Sequence, residues 1–276
     1  MANREFLARR LSAGYDETQV LHDIDVEIPS GKITAVVGAN ACGKSTFLRA
    51  LARLIAPTDG QVLLDGVQIQ KIPSRSLARQ MGLLPQTPVA PEGITVLDLV
   101  SRGRYPHQGL FSRWTSTDDR AVAHALSATR LEALVERPVD TLSGGQRQRV
   151  WIAMALAQDT DILLLDEPTT YLDIHHQVEV LDLLVDLNRD RGITVVMILH
   201  DLNLAARYAD HLLAMAAGHV FSSGAPEQVL TEEMVRQVFD LESRIITDPT
   251  SGRPFMLPIG RHRMLDHVEE NRTETI

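Results

Sequence analysis

The sequence is poor in cysteine and has no long hydrophobic run. Its single cysteine, Cys42, can form neither an intramolecular disulfide nor a cysteine-based zinc site, which suits a reducing compartment. The longest uninterrupted apolar run covers residues 150–157, whereas a membrane-spanning helix needs about 20 residues. Residues 1–5 lack the apolar stretch of a secretory signal. We therefore expect any work at a membrane to depend on a partner.

Aromatic residues and excess positive charge are also scarce. Aromatics make up 4% of the 276 residues, and the formal net charge is −9. Surfaces that stack single-stranded bases need aromatic side chains, and nucleic-acid or anionic-membrane footprints need clustered basic residues. We therefore expect no nucleic-acid partner. The 44% hydrophobic and 23% charged content is that of an ordinary globular chain, which excludes disordered and low-complexity classes.

Short apolar runs alternate with helical patterns, which predicts an α/β fold with a mostly parallel sheet. The expected strands are residues 33–37, 162–165 and 194–199, and the expected helices are residues 44–54, 177–188 and 202–208. Residues 95–157 read as a helical insertion between strands, and a further helix is expected over residues 227–239. A tail spaced by proline and glycine follows, and the polar end of the chain is expected to fray.

The strongest motif is the phosphate loop, residues 38–46, which matches G-x-x-x-x-G-K-[ST] between a predicted strand and a predicted helix. Its glycines let backbone N–H groups curl around phosphates, and the helix N-terminus adds positive potential. Lys44 can reach the β- and γ-phosphates, and the Ser45 hydroxyl can bind Mg²⁺. The loop therefore predicts a nucleotide site.

Two acidic residues end the predicted strand 162–165. Open α/β sheets bind ligands at the carboxyl ends of their strands. Asp166 is expected to hold Mg²⁺, and Glu167 to polarise the water that attacks the γ-phosphate.

A second anion-binding segment lies at residues 142–146, with the sequence Leu-Ser-Gly-Gly-Gln. Its serine can cap a helix, and two glycines leave backbone N–H groups accessible at the helix start. One nucleotide needs only one phosphate loop. The second segment therefore predicts a head-to-tail homodimer, in which each chain closes over the nucleotide of the other.

These motifs together resemble the ATP-binding subunits of ABC transporters, whose signature reads LSGGQ. The resemblance runs over residues 15–224 and implies a P-loop NTPase (RecA-like) parallel sheet core with an inserted helical subdomain. It divides the chain into an ATP-binding domain over residues 1–225 and a C-terminal extension over residues 226–276. Within that domain the core covers residues 1–90 and 158–225, and the helical subdomain covers residues 91–157.

The resemblance also implies roles for individual residues. The ATP-binding residues would be Tyr15, Gly38, Ala39, Asn40, Ala41, Cys42, Gly43, Lys44, Ser45 and Thr46. Binding in trans would come from Ser143, Gly144, Gly145, Gln146 and Asp173. The catalytic residues would be Glu167, His200, Lys44 and Gln86, and the Mg²⁺ ligands would be Ser45, Gln86 and Asp166. Tyr15 would stack on adenine, and His200 would contact the γ-phosphate.

The phosphate loop departs from the usual family pattern at two positions. Ala39 stands where proline is common, and Ala41 stands where glycine is common. An alanine forced to positive φ costs about 1–2 kcal/mol. We expect activity to survive because the G-x-x-x-x-G-K-[ST] frame is intact.

Further stretches resemble the ATPases of ferric-siderophore importers, at residues 102–107, 147–154, 168–173 and 200–203. This implies integral-membrane permease subunits, indirectly a substrate-binding protein, and a peripheral location on the cytoplasmic face of the bacterial inner membrane. Residues 103–111 are the expected permease contact. Three alternatives remain open: a cobalamin or haem importer, a soluble ABC ATPase acting on nucleic acid or ribosomes, and a module that binds ATP without hydrolysing it.

Overall fold

The computed structural model describes residues 4–16, 18–109 and 114–262. The strands are β1 (Phe6–Tyr15), β2 (Thr18–Ile28), β3 (Ile33–Gly38), β4 (Asp59–Leu64), β5 (Val67–Gln68), β6 (Met81–Leu84), β7 (Ile162–Leu165), β8 (Thr194–Ile198), β9 (His211–Ala216), β10 (His219–Gly224), β11 (Ser243–Thr247) and β12 (Pro254–Pro258). The helices are α1 (Lys44–Leu51), α2 (Ser74–Ala78), α3 (Val96–Ser101), α4 (Ser116–Ala128), α5 (Gly144–Ala157), α6 (Ile174–Arg191), α7 (Leu202–Tyr208), α8 (Pro226–Val229) and α9 (Glu232–Phe239).

The central sheet has six strands in the order β10-β9-β3-β8-β7-β6. Five of them are parallel, and β10 is an antiparallel edge strand. The three strands expected from the sequence are its consecutive centre, so the predicted α/β class is confirmed. Along these strands, odd-numbered side chains enter one hydrophobic core and even-numbered side chains enter a second one. Burial on both faces explains why the sequence shows unbroken apolar runs there.

A second sheet, antiparallel and in the order β2-β1-β4-β5, covers one face of the central sheet. This sheet was not expected from the sequence. Its inner strand β1 has register shifts on both sides of Leu11, and Arg10 within it has φ of 45°. Such bulges interrupt the alternation of buried and exposed residues by which a strand is recognised.

The helices differ from expectation in their bounds. Helix α1 ends three residues earlier than expected, and α6 extends beyond the expected 177–188 at both ends. The helix expected over 227–239 is two helices. It is interrupted between Val229 and Glu232, and Thr231 caps α9 by accepting a hydrogen bond from Met234 N–H. The tail forms a hairpin of β11 and β12. The expected frayed terminus after residue 262 lies outside the described residues.

The expected helical insertion contains α3, α4 and α5, which pack on one another. Of the expected permease contact, residues 103–109 lie in the described part of the chain and the rest lie outside it. No helix within the described ranges combines the length and the apolar character needed to span a bilayer.

Candidate active site

The phosphate loop turns sharply between β3 and α1. A Cβ on Gly38 would lie 2.3 Å from the carbonyl oxygen of Met215 in β9, so only glycine fits there. Gly43 precedes α1 with φ of 105°. Ala41 has φ of 61°, so this alanine adopts the strained left-handed conformation that was expected from the sequence.

Lys44 is buried beneath this loop and is 5% exposed. Its Nζ donates to the carbonyl oxygens of Gly38 at 2.9 Å and Ala39 at 2.8 Å. The ammonium is therefore held at the wall of a cavity of about 320 Å³. That cavity is lined by Val20, Asn40, Ala41, Gly43, Lys44, Ser45, Thr46, Glu167 and His200.

Cys42 is buried on the inner side of the loop, and it is not among the residues that line the cavity. Burial raises the pKa of its thiol above the ordinary cysteine value, and the nearby Lys44 offsets only part of that rise. The structure therefore gives Cys42 the surroundings of a small core residue.

Ser45, which lines the cavity, contacts the buried carboxylate of Asp166. Ser45 Oγ donates to Asp166 Oδ1 at 3.1 Å, and a guanidinium nitrogen of Arg49 lies 4.0 Å from Asp166 Oδ2. Burial raises the pKa of Asp166, and the hydrogen bond from Ser45 opposes that rise. Asp166 is therefore a buried carboxyl group that contacts one hydroxyl and has the Arg49 guanidinium at 4.0 Å.

Gln86, Glu167 and His200 converge on the same edge of the sheet. Each lies two residues beyond the carboxyl end of its strand, β6, β7 or β8, and these three strands are neighbours. Gln86 Nε2 donates to Glu167 Oε2 at 2.5 Å, and His200 Nε2 lies 2.7 Å from Glu167 Oε1. Thr170 Oγ1 also donates to Glu167 Oε2, at 2.9 Å. The Glu167 carboxylate is therefore fixed by three polar groups.

Tyr15 lies at the end of β1 and is 42% exposed. Its hydroxyl accepts a 3.0 Å hydrogen bond from Arg49. Neither Arg49 nor Thr170 was expected at the site from the sequence. Arg49 lies one helical turn after Ser45 on α1, a spacing that puts two side chains on one helix face; this signal was available in the sequence.

The signature segment, residues 142–146, begins α5. Ser143 Oγ accepts from Gln146 N–H at 3.3 Å and Gln146 Oε1 accepts from Ser143 N–H at 3.1 Å, which forms a capping box. Ser143 and Gly144 are exposed, and no residue of the segment lines the cavity of its own chain. The segment is available to something outside that cavity.

Asp173 caps α6 and connects to the signature segment through His176, a residue that the sequence analysis missed. Asp173 Oδ1 accepts from His176 N–H at 3.0 Å and lies 2.8 Å from His176 Nδ1. These hydrogen bonds lower the pKa of Asp173. A Cβ on Gly145 would lie 2.3 Å from the His176 ring, so the ring packs directly on the glycine backbone.

Known proteins are similar to this chain over most of its length. The family profile described as "ABC transporter" matches residues 21–170. The petrobactin import ATP-binding protein FpuD of Bacillus anthracis is 54% identical over 255 residues, which are 92% of this chain and 93% of that protein. The ferric enterobactin transport ATP-binding protein FepC of Escherichia coli K12 is 52% identical over 252 residues, with coverage of 91% and 93%. A solved structure described as an inward-facing ABC transporter of the metal-chelate type has a TM-score of 0.81 at 30% identity, and the match covers 94% of this chain and 99% of that one.

Proposed function

The chain belongs to the ABC transporter family, and from that membership we propose that it hydrolyses ATP in a head-to-tail dimer to drive uptake of a ferric siderophore through a separate permease. The observation that carries hydrolysis is the fixed Glu167 carboxylate beside the phosphate loop. Gln86 and His200 hold it from opposite oxygens, at 2.5 and 2.7 Å. A bare ATP-binding module has no need of an oriented carboxylate at the phosphate end of its cavity.

The contact between Ser45 and Asp166 fits a magnesium ion. Neighbouring oxygen ligands of an octahedral Mg²⁺, each about 2.1 Å from the metal, lie about 3 Å apart. Ser45 Oγ and Asp166 Oδ1 are 3.1 Å apart. Ser45 and Asp166 would hold the ion, with Gln86 as a third ligand. When bound there, Mg²⁺ would neutralise phosphate charge and the charge of the buried Asp166.

The chain's own groups account for the rest of the chemistry. An ammonium has three donors, so Lys44 can contact a phosphate oxygen while it keeps its bonds to the loop carbonyls. Donors fixed in this way stabilise charge on the transferring phosphoryl group without reorganising. Glu167, held by its three partners, orients and polarises the attacking water. His200, placed at the mouth of the same cavity, contacts the γ-phosphate.

The proposed dimer follows from the position of the signature segment. Ser143 and Gly144 are exposed and lie outside their own cavity. Their backbone N–H groups at the start of α5 suit the γ-phosphate held by a second chain. Asp173, joined to Gly145 through His176, would approach that nucleotide together with the signature segment.

The proposed cargo is a ferric siderophore. Its support is the importer-type motifs in the sequence together with relatives named for petrobactin import and ferric enterobactin transport. We propose the same division of the chain as in the sequence analysis, with the helical subdomain meeting the permease near residues 103–109. Because ATP is supplied by the cytoplasm, the subunit would dock peripherally on the cytoplasmic face of the inner membrane. A substrate-binding protein would deliver the cargo on the other side.

The experiment is uptake of radioactive iron, supplied as a panel of ferric siderophores, by cells that lack this protein. Labelled cobalamin and haem are measured in parallel, and the cells are complemented with the native chain or with Lys44→Ala. Loss of uptake of one ferric siderophore, restored only by the native chain, is the expected result. Normal iron uptake with lost cobalamin or haem uptake would overturn the cargo and keep the ATPase.

A further inference from the structure

Two side chains attach the hairpin β11–β12 to the rest of the molecule by hydrogen bonds to one cross-strand residue pair. Ile245 and Met256 face each other in that pair. Ile245 N–H donates to Glu232 Oε1 at 3.4 Å, and Met256 N–H donates to Asn203 Oδ1 at 2.7 Å. Both N–H groups therefore point away from the partner strand, as they do at the non-hydrogen-bonded pairs of an antiparallel ladder.

Asn203 pairs with the free edge of β12 as one residue of an additional strand would. Its Oδ1 accepts from Met256 N–H, and its Nδ2 donates to Met256 O at 3.1 Å. A carboxamide supplies one acceptor and one donor in the spacing of a peptide group. Aspartate lacks the donor, and alanine lacks both groups.

Asn203 lies in the first turn of α7, three residues after His200. Asp201 caps this turn by accepting from the N–H groups of Asn203 and Leu204 at 2.8 and 2.9 Å. Helix α7 has seven residues, and so short a helix is stable only through its packing. His200 itself is 45% exposed, and its Nε2 lies 2.7 Å from Glu167 Oε1. The backbone that carries His200 is thus steadied, on the α7 side, by the hairpin.

We propose that Asn203 is a positioning residue for ATP hydrolysis, and that the C-terminal hairpin fixes His200 against Glu167 through it. This proposal rests on the proposed function, because it needs His200 to act in hydrolysis. It gives the hairpin, which follows the ATP-binding domain in the chain, a direct mechanical connection to the active site.

The test compares kcat and KM for ATP of the purified full chain, native and with Asn203→Ala. Misplacement of a reacting group by 1 Å can cost roughly 10²-fold in rate, so loosening by a fraction of that distance is expected to lower kcat about tenfold. KM for ATP is expected to stay within about twofold, because the phosphate loop is untouched. The matched control is Glu232→Ala, which removes the hydrogen bond to Ile245 N–H on the other side of the same residue pair. This variant is expected to lower the unfolding midpoint without lowering kcat.

The double variant His200→Ala/Asn203→Ala decides whether Asn203 acts through His200. If it does, the double variant hydrolyses ATP no more slowly than His200→Ala alone. Additive losses, an unchanged kcat in Asn203→Ala, or an equal loss in Glu232→Ala would each overturn the proposal. A native kcat in His200→Ala would instead overturn the role of His200 in the proposed function, and the inference would fall with it.

Discussion

Gln86 Nε2 donates a 2.5 Å hydrogen bond to Glu167 Oε2, although 81 residues separate them in the chain. The contact exists because β6 and β7 are parallel neighbours and each side chain lies two residues beyond its strand. It connects the entrance of the helical insertion to the proposed catalytic carboxylate. A movement of Gln86 would therefore change the orientation of Glu167.

Replacing the Glu167 carboxylate by an amide is expected to stop turnover while leaving nucleotide binding intact. General-base catalysis contributes about 10²–10⁴-fold, so Glu167→Gln should lower kcat by that order. ATP should then hold two chains together, and size-exclusion chromatography with ATP should show a dimer. The matched control is Glu233→Gln on the exposed side of α9, which should keep native turnover. A Glu167→Gln chain that stays monomeric with ATP would contradict the proposed dimer.

Relieving the strain at Ala41 is expected to stabilise the chain. Its left-handed conformation costs an alanine about 1–2 kcal/mol, and the greater freedom of glycine in the unfolded state offsets about 0.4–1 kcal/mol. Ala41→Gly should therefore raise the free energy of unfolding in urea by about 0.5–1 kcal/mol.

Ala39→Gly is the control for that measurement. Ala39 is not among the described residues with positive φ, so glycine there gains no relief and should lower stability by about 0.4–1 kcal/mol. Equal shifts of the same sign in both variants would refute strain at Ala41.

The two glycines of the signature segment are expected to respond differently to alanine. A Cβ on Gly145 would lie 2.3 Å from the His176 ring, whereas a Cβ on Gly144 would meet nothing within 4 Å in this chain. Gly145→Ala should therefore lower the free energy of unfolding by about 1–3 kcal/mol through overpacking.

Gly144→Ala should keep native stability or gain slightly, because alanine favours a helix. Its ATP turnover should nevertheless fall, since a methyl group would stand between the exposed segment and a phosphate in the second chain. Turnover should be measured beside thermal unfolding for both variants. Native turnover in Gly144→Ala would argue against close approach of a phosphate to this backbone.

The buried ion pair of Arg104 and Asp118 is expected to make stability depend on acidity. Arg104 Nε donates to Asp118 Oδ1 at 2.9 Å, and both side chains are buried. Burial raises the pKa of Asp118, but hydrogen bonds from Arg104 and Thr115 outweigh it and hold the pKa below its ordinary value. The unfolded chain therefore takes up a proton first, so this stabilisation is complete above the ordinary aspartate pKa of about 3.9 and is lost as the pH falls below it.

Asp118→Asn is the test, with urea unfolding measured at pH 7 and at several values between pH 5 and 3. At pH 7 the variant should lose about 3–5 kcal/mol, because Arg104 keeps a buried charge without its partner. Below pH 4 its stability should fall less steeply than that of the native chain. Glu242→Gln, at the exposed pair with Arg236, should lose at most about 1 kcal/mol. Parallel pH profiles for the native chain and Asp118→Asn would exclude Asp118 as the source of the dependence.

The sequence alone determined the features that depend on a few neighbouring residues. The phosphate loop could be recognised because its glycines and Lys44 stand at fixed spacing within nine neighbouring residues. The buried strands could be recognised because each is a short apolar run. In the antiparallel sheet, the bulges around Leu11 break the alternation of β1, so that strand was not predicted; β2 alternates over residues 24–28, and its signal was available in the sequence.

Only the tertiary structure decided which distant side chains meet. The family resemblance assigned Gln86, Glu167 and His200 to one site, but their mutual contacts require β6, β7 and β8 to lie side by side, which apolar runs of similar composition do not specify. The packing of the His176 ring on Gly145 likewise depends on how two helices pack. The hydrogen bonds between Asn203 and Met256 join residues 53 positions apart. These contacts follow from strand order and helix placement, which are properties of the whole chain.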